Sequence, residues 1–349
     1  MVRVGLSIGL RVLINVEALN MAETVGNVNR HRRAPVVFAD SKGGGYTIAF
    51  VPVISGMSLA HHYMRVLTKI ASSMGLPVTK MDVLGYYPKF SDGNIIKNYY
   101  QDAKNVQKVI TGKKGVHPCD VEKAILADSV VADVTGFLYT DATTKRTSRI
   151  RFSYLVPAVD ALEAGAASTQ PQLHVRYMPK PQDQAMLDVE QASALYTMMT
   201  TLDLTGVGEY SNCDPGSALP AGERVRRAEA AVKALVNMLV NMDFGAKRSR
   251  YEPHWSVKSL VATVSVGPTL FTVTPPHSKA YLRETVERAS VKSRLIGGYR
   301  FKVYYYDGEG LEELGTVKDV TVRKAGSFGE ALELAASEAI AELRKELGA

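Results

Sequence analysis

Three elements that can bind phosphate lie close together near the amino terminus of this chain of 349 residues. The basic run Arg30-His31-Arg32-Arg33 is followed by Lys42-Gly43-Gly44-Gly45 and by Ser55-Gly56-Met57-Ser58, which starts a helical pattern. Guanidinium groups pair with phosphate oxygens, glycine lets backbone N–H groups approach an anion, and a helix amino terminus carries positive partial charge. The combination predicts a surface that grips a nucleic-acid backbone.

A second basic segment, the glycine-hinged loop Phe244–Arg250, follows another helical pattern. A helix carboxyl terminus disfavours anions, but the cations of this loop favour them. Solvated loops are the alternative for both basic segments, and His61, beside Arg65, can meet either solvent or phosphate. The candidate nucleic-acid-binding residues are Arg30, His31, Arg32, Arg33, Lys42, Gly43, Gly44, Ser55, His61, Lys247, Arg248 and Arg250.

Two tyrosine pairs, Tyr86-Tyr87 and Tyr99-Tyr100, stand among Lys89, Lys97 and Lys104. Unpaired bases stack on such rings, although tyrosine is also a frequent core residue, and the sequence leaves both interpretations open.

Enzymatic and metal chemistry has little support. His61 and His62 diverge by about 100° on a helix, so they cannot chelate one ion from one face, and His62 fits a core or interface position. Asp40 could position a phosphodiester for attack, but a single loop aspartate is usually a turn former. The glycine triplet precedes a strand, which does not fit a P-loop. We therefore expect no catalytic residue, no metal and no cofactor.

The composition is that of an ordinary soluble protein, with 46% hydrophobic and 22% charged residues and a net charge of +7. Residues 244–302 carry 11 basic and 3 acidic side chains, whereas residues 303–349 carry 5 and 10. This asymmetry predicts a basic ligand-facing surface with an acidic helix elsewhere. The two cysteines, Cys119 and Cys213, are too few for a disulfide framework or a zinc site. Without a signal peptide or an apolar span, we expect a cytoplasmic protein without membrane contact.

Periodicity predicts the elements that position these residues. Alternation over 2–16 indicates a strand with one buried face, and apolar spacing indicates helices over 55–75, 222–242 and 328–347. Further strands are predicted at 46–53, 147–156, 195–204, 258–266 and 270–274, a long hairpin or loop at 164–184, and a hairpin of 301–306 with 315–322. The predicted fold class is α+β with an antiparallel, ferredoxin-like sheet. We assign 1–85 and 137–349 to the core and 86–136 to an inserted subdomain that projects from it.

Several segments resemble one known family when taken in order along the chain. They are Ile14–Asn20, Gly26–Val37, Val51–Tyr63, Ala194–Tyr196, Leu202–Leu204 and Gly245–Pro253. The chain resembles the DevR-type backbone subunits of type I CRISPR interference complexes (the Cas-seven family), in particular the archaeal type I-A branch, Csa-two. The matching segments extend from about residue 5 to about residue 275.

The resemblance implies a modified RRM-like core with large insertions and a non-catalytic scaffold for antiviral defence. Such a scaffold polymerises helically along CRISPR RNA (crRNA), presents the guide to single-stranded target DNA and joins other Cascade subunits. A protruding thumb interrupts the guide–target duplex. Two alternatives remain: an endoribonuclease of the type III backbone kind that uses Asp40, and an RNA- or DNA-binding regulator.

Overall fold

The computed structural model describes residues 2–17, 21–25, 28–39, 44–111, 115–166, 168–245, 252–315 and 317–349. The strands are β1 (Arg3–Glu17), β2 (Met21–Val25), β3 (Val28–His31), β4 (Arg33–Ala39), β5 (Tyr46–Pro52), β6 (Phe137–Tyr139), β7 (Thr144–Arg146), β8 (Ile150–Phe152), β9 (Val156–Pro157), β10 (Gln170–Arg176), β11 (Ala185–Asp203), β12 (Trp255–Gly267), β13 (Arg300–Asp307) and β14 (Val320–Lys324). The helices are α1 (Gly56–Ser73), α2 (Lys80–Leu84), α3 (Gly93–Tyr99), α4 (Lys104–Ile110), α5 (Pro118–Asp128), α6 (Val130–Thr135), α7 (Val159–Glu163), α8 (Ala221–Val240), α9 (Tyr281–Ile296) and α10 (Phe328–Leu347).

One large sheet organises the fold, with the strand order β14-β13-β12-β1-β11-β3-β2. β1 lies at its centre and pairs antiparallel with both β11 and β12. β8, β9 and β10 also pair with β11, while β4 and β5 form a separate hairpin. The α+β class is confirmed, but the sheet is mixed rather than antiparallel because β3 pairs parallel with β11 and β14 pairs parallel with β13.

The sheet is covered on both faces. Its main apolar face, including Leu6, Leu10 and Ile14 of β1, packs against α1, α8 and α10. The prediction that β1 has only one buried face is wrong, because Ser7 and Arg11 on its other face are also buried. The segment 268–280 accounts for this, since the backbone N–H of Val273 in it donates to Ser7 Oγ.

The predicted helices over 55–75, 222–242 and 328–347 correspond to α1, α8 and α10. The region 164–184, predicted as a long hairpin or loop, contributes one strand of a hairpin, β10, and the other strand, β11, begins only at Ala185. Two predictions at the carboxyl-terminal end are wrong, and one helix was not predicted. Residues 270–274 form no strand, α9 was not predicted, and the supposed hairpin of 301–306 with 315–322 is a parallel pair of β13 and β14. A parallel pair cannot be closed by a tight turn, so residues 308–319 cross from one strand to the start of the next.

Contrary to the prediction, the acidic helix α10 lies beside part of the basic segment 244–302. Arg300 Nη2 on β13 lies 2.9 Å from Glu342 and 2.8 Å from Glu346 on α10, and Lys302 pairs with Glu338. Part of the positive charge of 244–302 is therefore used within the fold and does not face a ligand.

The predicted insertion is built from the short helices α3 to α6, preceded by α2. Phe90, Ile96, Val106 and Ile125 form its own apolar cluster, which Phe137 also joins. α6 also contributes to the main core through Val130 and its neighbours, so the region is firmly attached at its carboxyl-terminal end. The 86–136 boundary itself stays a prediction.

A disulfide joins Cys119, in α5 of this region, to Cys213, in the loop after β11. Two cysteines thus form one covalent link across 94 residues, although they are too few for a framework. Closing so long a loop lowers the entropy of the unfolded chain.

We expect reduction of this bond to lower the free energy of unfolding by about 2–4 kcal/mol. Urea unfolding with and without dithiothreitol measures the change. The double variant Cys119→Ser/Cys213→Ser is the control, because it should match the reduced protein and no longer respond to dithiothreitol. Equal stability of the oxidised and reduced wild type would contradict a structural role for the bond.

Candidate nucleic-acid interface

The start of α1 is set by a serine cap and by a close approach to the backbone of a neighbouring strand. Ser55 caps the helix by accepting a hydrogen bond of 3.2 Å from the backbone N–H of Ser58 through its hydroxyl oxygen. No acidic side chain occupies the first turn, so its positive partial charge is not neutralised locally. Ser55 itself is only 7% exposed and its hydroxyl oxygen is engaged in the cap, so any anion at this end of α1 would meet backbone N–H groups rather than the Ser55 side chain.

Gly56 places α1 directly against β8. A Cβ atom at this position would lie 2.6 Å from the carbonyl oxygen of Phe152 and 3.3 Å from that of Ser153. Only glycine fits here without moving the backbone, so Gly56 fixes where the helix begins.

Replacing Gly56 with alanine is expected to lower the free energy of unfolding by about 1–3 kcal/mol, because the added methyl group overpacks a backbone contact. It should also weaken RNA binding by displacing the capped end of α1. Gly222→Ala on α8 is the matched control, since nothing lies within 4 Å of its added Cβ. Chemical unfolding and RNA titration of both variants test this, and equal behaviour of the two would contradict the assignment.

The basic arm, residues 30–33, lies beside this helix start. The backbone N–H of Val53, just before α1, donates to the carbonyl oxygen of Arg32 at 2.9 Å. Arg30 is exposed, while Arg32 is half-buried and its Nε makes no hydrogen bond with the described residues. The arm thus presents arginines next to the amino terminus of α1.

His31 differs from its neighbours because its side chain points inward. Only 3% of the residue is exposed. Its backbone N–H donates to Glu190 Oε2 at 2.8 Å, and its Nδ1 lies 3.1 Å from the carbonyl oxygen of Arg32. Burial lowers the pKa of His31. Contrary to the prediction, the His31 ring is therefore not available to a ligand. His31 instead holds the basic arm in place through its contacts with Glu190 and Arg32.

The β4–β5 hairpin carries the other candidates of this region. Arg33 is exposed and donates from Nη2 to the carbonyl oxygen of Phe50 at 2.8 Å, across the hairpin. Gly44 lies at the hairpin turn with a φ of +63°, a conformation that favours glycine. Lys42, Gly43 and Asp40 lie outside the described residues.

α1 also contacts the second basic loop. His62 is half-buried, as an interface histidine should be, with Nδ1 2.8 Å from the carbonyl oxygen of Ser58 and Nε2 3.2 Å from that of Gly245. Gly245 is the last described residue before Lys247, Arg248 and Arg250, which fall outside the described residues. Elements more than 180 residues apart in sequence thus meet at one helix end.

The adjacent His61 is exposed, and its ring meets that of His62 edge to face, with 5.7 Å between centroids. Its ring meets that of Tyr87 edge to face, with 5.5 Å between centroids. Partial burial lowers the pKa of His61, and so do His62 and Arg65 nearby, which favours a neutral ring. Within the described part of the chain, no group of three histidine, cysteine or acidic side chains could hold a metal ion.

The sequence analysis assigned no residue to the tip of the β10–β11 hairpin. Tyr177 there is 82% exposed and Met178 is 44% exposed. The sequence did contain a signal for this tip. Two large apolar side chains in a largely polar segment, with no core nearby to bury them, indicate a contact surface.

The described residues form a mixed α+β protein with a basic arm beside a capped helix end, and comparisons with known proteins identify its family. The family model for the CRISPR-associated negative auto-regulator DevR/Csa2 matches residues 8–286. The chain is 34% identical over 333 residues to the CRISPR-associated aCascade subunit Cas7/Csa2 2 of Saccharolobus solfataricus, covering 90% of this chain and 97% of the relative. This chain belongs to the DevR/Csa2 family, which confirms the resemblance found in the sequence.

Other relatives are more distant. The CRISPR-associated protein Cas7/Csa2 1 of the same organism is 32% identical over 86% of this chain and 92% of its own length. A Cas7/Cst2/DevR protein of Thermoproteus tenax is 24% identical over 72% of each chain. A solved chain of a pre-nicking CRISPR RNA-guided surveillance complex matches with a TM-score of 0.48 and 10% identity, over 96% of this chain and all of that chain.

No helix among the described residues is long and apolar enough to cross a membrane.

Proposed function

We propose that this protein is a non-catalytic, crRNA-binding backbone subunit of a type I CRISPR interference complex. One observation carries the proposal: the basic arm, the capped end of α1 and the start of the second basic loop meet on one surface through the Val53–Arg32 and His62–Gly245 contacts. Membership in the DevR/Csa2 family supports it. The protein would act in the cytoplasm as part of a complex with other Cascade subunits. Its core would be RRM-like and would bind the crRNA.

The interface suits a guide of variable sequence. Arginine side chains and backbone N–H groups recognise phosphates, which are the same at every nucleotide, so the guide is held without its bases being read. Successive copies along the RNA would form a helical filament and leave the base edges available to single-stranded target DNA.

The β10–β11 hairpin is our candidate for the thumb that interrupts the guide–target duplex. Its tip exposes Tyr177 and Met178, which are apolar side chains suited to contact unstacked bases. The helical region 86–136 is then a separate inserted subdomain rather than the thumb.

Binding of two RNAs of unrelated sequence tests the proposal directly. Equal affinities that fall steeply with salt are expected for a phosphate-gripping scaffold. A strong preference for one sequence, with a discrete footprint on DNA, would instead favour the regulator that the description of the family model names. RNA cleavage that Asp40→Asn abolishes, with binding intact, would favour the endoribonuclease.

A further inference from the structure

An aromatic pocket lies on the outer flank of α1, next to the interface. It is a cleft of about 620 Å³ between α1 and the segment that links α2 to α3. Its lining residues are His61, Met81, Gly85, Tyr86, Tyr87, Pro88 and Tyr99. Three tyrosine rings and an imidazole thus surround one opening, and no carboxylate lines it.

The pocket wall is built in advance of any ligand. α2 begins with a capping box between Thr79 and Asp82 and ends at Gly85, whose φ is +78°. At the other edge, Lys89 and Phe90 both adopt left-handed backbone conformations, with φ of 56° and 50°. Two consecutive non-glycine residues in this region are unusual, and such backbone is commonly found at functional sites.

Phe90 anchors that turn in the apolar cluster of the insertion. Its ring is 1% exposed and stacks on Tyr100, with centroids 3.9 Å apart. One member of each tyrosine pair is more buried than its neighbour: Tyr100 is 1% exposed against Phe90, and Tyr87 is half-buried against His61 in the pocket wall. The partners, Tyr86 and Tyr99, are 65% and 52% exposed. The sequence left open whether these tyrosines are core residues or surfaces on which bases stack. In the structure each pair has one ring that packs against a neighbour and one ring that is available to a ligand.

We propose that this pocket binds an unpaired base of the single-stranded nucleic acid held at the neighbouring interface, stacked against Tyr86 and Tyr99. The inference rests on the proposed function and deepens it. The pocket adjoins the interface because the ring of His61, which lines it, meets the ring of His62 edge to face with 5.7 Å between centroids, and His62 contacts Gly245. A strand that passes the start of the basic loop therefore passes close to the pocket.

The chemistry of the pocket suits a base better than another apolar group. A stacked base adds a π face to the tyrosine rings and still carries a phosphate. The exposed Arg65 is close enough to His61 and Tyr87 to act on both electrostatically, and the exposed Lys89 follows Pro88 of the pocket lining, so these cations are available to pair with that phosphate. His61, with its lowered pKa, adds an uncharged ring. Stacking tolerates any base, which agrees with a guide of variable sequence.

The test uses the full-length protein and oligonucleotides that carry 2-aminopurine at successive positions, in matched RNA and DNA series. Stacking on an aromatic ring quenches 2-aminopurine fluorescence. We expect quenching at particular positions of the bound strand. The RNA and DNA series report whether the base comes from the guide or from a DNA strand.

Two double variants separate aromatic stacking from apolar contact. Tyr86→Leu/Tyr99→Leu should abolish the quenching and weaken binding about tenfold, since the base loses its aromatic stacking partners. Tyr86→Phe/Tyr99→Phe keeps the rings and should behave as wild type. Circular dichroism checks that both variants fold.

The possible failures are distinguishable. Salt-dependent binding of RNA without quenching at any position, and with equal affinity of the Leu and Phe variants, would overturn the pocket and leave the proposed function standing. Absence of any binding to RNA would overturn both. If a protein segment is the true occupant of the pocket, RNA binding will show no quenching and the Leu and Phe variants will bind RNA equally well.

Discussion

Replacing Arg30 and Arg32 together with alanine is expected to weaken RNA binding by about 100-fold or more at low salt. Each arginine can donate a charge-assisted hydrogen bond to phosphate, and each such bond is worth about 1.5–3 kcal/mol. Loss of two phosphate contacts should also reduce the slope of log K against log salt by about 1.4 for a single strand. Fluorescence anisotropy with a labelled RNA across a salt series measures both quantities.

The matched control is Arg294→Ala/Arg323→Ala. These two arginines are also exposed, but they lie on α9 and on β14, and β14 forms the sheet edge opposite to β2 and β3. The control should change the affinity for RNA by less than about twofold, which corresponds to less than about 0.4 kcal/mol. Equal effects of the two double variants would mean that RNA is held by overall charge and that the interface is misplaced.

Replacing Asp133 with asparagine is expected to lower the free energy of unfolding by about 3–5 kcal/mol, the usual cost of breaking a buried ion pair. Asp133 is fully buried and pairs with Arg146 and, at 3.0 Å, with Arg227 Nη1. It also accepts a hydrogen bond of 3.0 Å from the backbone N–H of Gly208. The variant leaves two buried arginine charges with less compensation, where the insertion joins α8.

The same carboxylate makes stability depend on pH. Burial alone would raise the pKa of Asp133, but the charges of Arg146 and Arg227 outweigh burial and hold that pKa below its ordinary value. A lowered pKa in the folded state means that the stabilisation is present above the unfolded pKa and is lost as the pH falls toward the folded value.

Urea unfolding at neutral and acidic pH tests both statements. Asp214→Asn, at an exposed position in the loop after β11, is the control and should change stability by less than about 0.5 kcal/mol. The difference in free energy of unfolding between wild type and Asp133→Asn should become smaller at acidic pH. A gap that is absent at neutral pH would contradict the role of Asp133.

The sequence predicted those parts of the fold in which local periodicity and burial agree. The three predicted helices are amphipathic, and β1 alternates, so their positions follow from their own residues. α9 escaped because its charged face, with Arg283, Arg288 and Arg294, dominates its pattern. The burial of Arg11 depends on Asp160, Pro276 and Glu309, which are 149 to 298 residues away in sequence. The parallel pairing of β14 with β13 depends on the path of the segment between them, and the periodicity of neither strand specifies that path.

The candidate interface shows the same division. Residue type alone selected Arg30, Arg32 and Ser55, because guanidinium groups and helix caps have recognisable chemistry. Residue type could not show that His31 turns inward, since this depends on Glu190 in β11. Nor could it show that His62 reaches Gly245 or that Tyr86 and Tyr99 remain exposed while their neighbours are packed.

The most direct test of the central claim is to purify the protein from its own host and size any RNA that it carries on a denaturing gel. A crRNA scaffold should carry RNA of discrete, crRNA-like length that dissociates as the salt concentration is raised. Protein free of nucleic acid, in a small closed oligomer, would contradict the scaffold and favour the regulator.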